Sequence, residues 1–101
     1  LDLFAANMRT AGLEEGPPVL DRLGSSDVGN VSQMIPTIQP MIGIAPLGTA
    51  IHTREFEAAA VQPLARAGLL AAAKTMALTT FDLLADPARV RAAKEEFARS
   101  Q

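Results

Sequence analysis

The chain has 101 residues, 49 % of them hydrophobic and 20 % charged, with a formal net charge of −2. A chain of this size holds one modest core, and its mild acidity excludes a basic face for phosphates, so nucleic acid is not an expected partner. The absence of cysteine excludes both a disulfide framework and a thiol nucleophile.

Leu1, Phe4, Ala5 and Met8 recur at helical spacing and predict a helix over Leu1–Leu13, stopped by Gly12 and the Gly16-Pro17-Pro18 run. No signal peptide is visible. Because the chain opens at Leu1 inside an apolar-periodic stretch, it reads as a piece cut from a longer protein. Glu14 to Leu23 is a loop in which Val19, Leu20 and Leu23 form either a short apolar strand or a packed turn.

Ser25 to Ile35 reads as a short helix capped by Ser25, Ser26 or Asp27, with Val28, Val31, Met34 and Ile35 on its apolar face. Pro36 ends it. Thr37 to Ile44 is expected to be a strand, with Ile38, Ile42 and Ile44 on one face by period two. Pro40 removes a backbone donor, which makes it an edge strand without a partner in this sequence. Such a strand belongs to a larger sheet or pairs with a copy of itself.

Ala45 to His52 is a loop with Pro46 and Gly48 as its turn signals. Thr53 is a plausible helix cap, with Glu55 in the first turn where a negative charge suits the helix dipole. Arg54 to Ala85 reads as helical, divided at Pro63 by a kink or by a new helix start. From Leu64 to Leu84 the pattern is apolar almost all round, broken only by Arg66, Lys74 and Asp82 at intervals of eight. Three charges make a membrane span costly, so a helix buried on most sides within a larger protein is expected. Asp86-Pro87 starts a last helix anchored by Val90 and Phe97, with Glu95 and Arg99 as an i,i+4 ion pair.

His52 is the sole histidine. A neutral imidazole can give one nitrogen to a metal while the other is oriented by a neighbour, but a zinc site needs three or four ligands. Taken alone, His52 is more often a loop or capping residue. Gly24-Ser25-Ser26-Asp27 is a small polar turn at a helix start, able to present backbone N–H groups to a carboxylate, although an ordinary capped turn has the same composition. Ser25, Ser26 and Thr53 lack the nucleophile elbow and the oriented base that a serine hydrolase requires. Glu14-Glu15 and Glu95-Glu96 read as solubilising charge.

Together, Gly24-Ser25-Ser26-Asp27-Val28-Gly29-Asn30-Val31-Ser32, Ile35-Pro36-Thr37 and Gly48-Thr49-Ala50-Ile51-His52-Thr53 resemble the C-terminal part of the dinuclear-metal amidohydrolases. That family includes aminoacylases, aminobenzoyl-glutamate and indoleacetyl-amino-acid hydrolases and related dipeptidases. The resemblance covers most of the chain from Gly24 onward. It implies a mainly helical α/β fragment with one or two strands, at the edge of an α/β zinc-peptidase catalytic domain, with 1–101 a single unit lacking the lid domain and the N-terminal half. It implies that His52 is the last ligand of a pair of divalent metal ions, zinc or manganese, and that Gly24, Ser25, Ser26 and Asp27 line the substrate pocket. The general base and remaining ligands would lie upstream, so the catalytic residues are absent here. Asn30 replaces the family's more common aspartate and looks closer to the dipeptidase branch. The expected partners are the rest of the parent catalytic domain, a small amide or dipeptide substrate and a second copy in a homo-oligomer. The expected location is cytoplasmic. The rival reading is a non-catalytic helical module that associates through its apolar helix.

Overall fold

The computed structural model describes residues 1–16 and 26–100. Among them run the helices α1 (Asp2–Thr10), α2 (Val28–Ser32), α3 (Arg54–Ala59), α4 (Pro63–Ala85) and α5 (Pro87–Ser100). The proposed strand or turn at Val19 to Leu23 lies outside the described residues.

α1 ends earlier than its apolar pattern because Gly12, at φ 86°, takes the left-handed conformation that closes a helix. The amides of Gly12 and Leu13 donate back to the carbonyls of Arg9 and Met8 at 3.0 Å each, satisfying two otherwise orphaned acceptors. α2 is shorter than the expected Ser25–Ile35 helix. Asp27 does stand at its N-cap, but its side chain makes no cap bond, since its backbone is already helical at φ −63°, ψ −13°. In contrast, Thr53 caps α3 from an extended conformation, its Oγ1 accepting from the Phe56 amide at 3.2 Å.

Pro63 resolves as a helix start. It occupies the first turn of α4, where its missing N–H is no loss and its fixed φ suits the helix. Asp86 ends α4 in extended conformation and turns the chain into α5, where its Oδ1 accepts from the Ala88 amide at 3.0 Å. Asp86 Oδ2 also stands 3.4 Å from Arg89 Nε. The expected Glu95–Arg99 pair is not among the ion pairs of the described residues. Both side chains sit on an exposed face, where such pairing contributes little.

α1 and α5 both pack against α4. Phe4 of α1 is buried, and Asn7 Nδ2 donates to Thr79 Oγ1 at 3.1 Å and to Asp82 Oδ2 at 2.9 Å. Thr75 is fully enclosed, and its hydroxyl donates to the Ala71 carbonyl at 2.8 Å. Phe97 of α5 shares a shallow cleft with Leu1, Phe4, Ile38 and Leu83, whereas Val90 is more than a third exposed.

Two expectations need correction. No strand forms among the described residues: residues 37–44 carry no regular structure and make no backbone hydrogen bond to other described residues. A ladder needs a second strand, and the described residues supply none. Period two persists in the burial only over residues 39–44, with Pro40, Ile42 and Ile44 half-buried and Gln39, Met41 and Gly43 exposed; Ile38, expected on the same face as Ile42 and Ile44, is exposed instead. The second correction concerns α4. It is not buried on most sides: only 11 % of its most apolar window is enclosed, at a mean hydropathy of 1.3. By length and composition it could cross a membrane, but Asp82 is engaged with Asn7 of α1, as suits a helix packed against polar neighbours.

Candidate functional site

His52 stands one residue before the α3 cap, in a turn, with its side chain exposed. Its backbone lies at φ 64°. It is the sole non-glycine residue at positive φ among those described, a conformation that costs L-residues of order 1–2 kcal/mol. Thr53 holds one side of this turn: its Oγ1 donates to the Ala50 carbonyl at 2.7 Å while accepting from Phe56 N. Thr49 holds the other side, donating to the Pro46 carbonyl at 2.8 Å. The Gly-Thr-x-x-His-Thr run is therefore a bracketed loop that presents an imidazole to solvent at a local conformational cost.

Gly24 and Ser25 lie outside the described residues. Ser26 Oγ lies 3.4 Å from Gln39 Oε1, a donation that ties the polar turn to the 37–44 segment. The carbonyls of Ser26 and Asp27 accept from the Gly29 and Asn30 amides at 3.0 Å each, closing the first turn of α2.

Histidine suits a divalent ion chemically, since its neutral nitrogen is a good zinc or manganese donor. No group of three or more His, Asp or Glu side chains able to hold a metal occurs among the described residues. The donor chemistry thus fits one ligand position, and a complete coordination shell requires residues beyond these.

An apolar groove of about 380 Å³ runs between the 42–44 segment and the start of α4, lined by Ile42, Ile44, Val61, Ala65, Leu69 and Ala72 among others. His52 is not among its lining residues. The groove exists because the chain crosses α4 at Gly68. A Cβ there would meet the Gly43 carbonyl oxygen at 2.8 Å and Ile44 Cγ2 at 3.1 Å. The one sequence signal for this crossing is a glycine inside an Ala/Leu helix, where it costs about 1 kcal/mol against alanine.

No protein-family model matches the chain, and no solved structure matches it. Three curated hydrolases do. The chain is 36 % identical over 72 residues to a subunit of the p-aminobenzoyl-glutamate hydrolase of Escherichia coli (strain K12), covering 71 % of this chain and 15 % of that protein. It is 37 % identical over 76 residues to the Xaa-Arg dipeptidase of Mus musculus, covering 73 % of this chain and 17 % of the relative. Against the Xaa-Arg dipeptidase of Homo sapiens, identity is 34 % over 97 residues, covering 93 % of this chain and 22 % of the relative. The chain therefore spans less than a quarter of the length of these relatives. They point to amidohydrolases and peptidases as the class to which it is similar.

Proposed function

We propose that the chain is the C-terminal segment of a metal-dependent amidohydrolase that cleaves an N-acyl amino acid or dipeptide. The observation that carries this reading is His52, held exposed at positive φ in a loop bracketed by the Thr49 and Thr53 hydrogen bonds. Strained non-glycine backbone concentrates at sites where geometry is set by function. The similarity to a p-aminobenzoyl-glutamate hydrolase and to Xaa-Arg dipeptidases supports the reaction class.

In this reading His52 donates one imidazole nitrogen to a divalent ion, zinc or manganese. Such an ion polarises an amide carbonyl and supplies a nucleophilic water near neutral pH. Gly24 to Asp27 orients the substrate carboxylate through small side chains and backbone N–H groups. Further ligands and the general base come from the rest of the parent polypeptide.

The isolated chain is expected to show no amidase activity on acyl-amino acids or dipeptides, with or without added zinc; metal-dependent turnover by the purified chain would refute this division of labour. In the full-length parent, His52→Ala is expected to lower kcat/KM by at least about 100-fold, the loss typical of a compromised metal site. Metal content is measured alongside. Full metal occupancy with unchanged turnover would remove His52 from the site.

A further inference from the structure

Among the described residues, no hydrogen bond reaches the backbone amide or carbonyl of Ile51 or His52. The chain is pinned on either side of them, and one hydroxyl does the pinning. Thr53 Oγ1 donates to the Ala50 carbonyl at 2.7 Å and accepts from the Phe56 amide at 3.2 Å. The direction of each bond is fixed chemically, since a carbonyl only accepts and an amide N–H only donates. In an ordinary four-residue turn the first carbonyl accepts from the backbone N–H of the fourth residue. Here the side chain of Thr53 makes that closure, and its own amide makes no bond to Ala50. The Thr53 carbonyl accepts from the Glu57 amide at 3.1 Å, which anchors the residue in the first turn of α3.

The two bonds of this hydroxyl have different consequences. The bond from Phe56 caps α3 and supports the helix. The bond to Ala50 closes the turn that contains His52, and so sets the direction in which the imidazole leaves the chain. A left-handed conformation is unfavourable for an L-residue, so φ 64° at His52 relaxes to negative φ once that closure is lost. The relaxation turns the imidazole away.

We propose that Thr53 is a positioning residue for the metal site of the hydrolase: its hydroxyl, acting through the Ala50 carbonyl, holds the His52 imidazole where a divalent ion can take it. This rests on the reading of His52 as a ligand, and adds that capping and positioning belong to separate bonds of one side chain. Three substitutions pull the two apart. Thr53→Ser keeps both the donor and the acceptor. Thr53→Asp caps a helix at least as well as threonine, but an ionised carboxylate has no proton to give the Ala50 carbonyl. Thr53→Val keeps the shape and loses both bonds.

The test uses the full-length parent. Zinc affinity is measured by competition against a chelator, the melting temperature is taken on the metal-free form, and φ at position 52 is read from crystal structures of that form. Thr53→Ser is expected to keep zinc affinity within about threefold, with His52 still at positive φ. Thr53→Asp is expected to keep the melting temperature, to move His52 to negative φ and to weaken zinc about tenfold or more, as removal of groups that orient metal ligands does. Its added negative charge by itself favours a cation, so that loss is not electrostatic. Thr53→Val is expected to weaken zinc as much and to lower the melting temperature as well. Unchanged zinc affinity in Thr53→Asp would overturn the positioning role. So would a Thr53→Asp protein that no longer folds, because the bond to Ala50 would then be structural. His52→Ala separates the two levels of failure. If it weakens zinc while Thr53→Asp does not, only the role of Thr53 falls; if it too leaves zinc affinity unchanged, His52 is no ligand and both readings fall.

Discussion

The two sides of α4 invert the usual rule for a helix. Its inward stripe, Ala65, Gly68, Ala72, Thr75, Thr79 and Asp82, is buried or half-buried and mostly small or polar, with Leu83 its one large apolar neighbour beside Phe4. Its outward side carries Leu70, Met76, Phe81 and Leu84, with Phe81 68 % and Leu84 79 % exposed. A monomeric helix puts its large apolar residues inward because each buried Leu or Phe contributes roughly 1.5–3 kcal/mol. Here close backbone approach and hydrogen bonds make the inner contact, and the larger apolar area is left for something else. The inner face is thus shaped to a fixed partner, the 42–44 segment and α1, while the outer face carries the character of an interface or a core boundary.

This contrast can be broken at its tightest point first. Gly68→Leu is expected to destabilise the chain by about 3 kcal/mol, because the new side chain meets the Gly43 carbonyl and must displace backbone. Urea denaturation measures it. Gly68→Ala is the finer probe: the gain of about 1 kcal/mol in helix propensity opposes a Cβ only 2.8 Å from Gly43 O, and net destabilisation is expected.

Next in size is the polar lock between α1 and α4. Asn7→Ala removes both bonds and leaves Thr79 and Asp82 without that donor. A loss of about 1–2 kcal/mol is expected in the same denaturation assay, with α1 amides exchanging faster.

His52→Gly works in the opposite direction. Glycine accepts φ 64° freely, so this variant is expected to stabilise the chain by up to about 1 kcal/mol. On the proposed hydrolase reading, the same change in the full-length protein is expected to lower kcat/KM by at least about 100-fold. A stabilised and fully active parent would show that the turn needs no histidine.

The smallest effect is expected on the outer face. Leu70→Gln and Phe81→Gln should shift the unfolding free energy by no more than about 0.5 kcal/mol, since both side chains already meet solvent. A loss of several kcal/mol would mean that this face is covered in solution and would remove the contrast with the inner stripe.

Local signals in the sequence determined much of the helical framework. Gly12, Thr53, Pro63 and Asp86-Pro87 act through their own backbone chemistry, by left-handed φ, side-chain capping or a missing N–H, and each marks a boundary in the structure. The lone histidine and the Gly-Thr-x-x-His-Thr pattern were likewise legible, since they need no knowledge of neighbours. Tertiary structure alone decided which face of α4 turns inward, because apolar periodicity is silent when a helix is apolar nearly all round. It also decided the fate of residues 37–44: alternation of side chains is a local property and survives in the burial of residues 39–44, but a strand exists only when a second backbone supplies its hydrogen bonds. The crossing at Gly68 and the left-handed turn at His52 belong to the same category. Each depends on where a distant or adjoining piece of backbone is held, and no residue pattern encodes that position by itself.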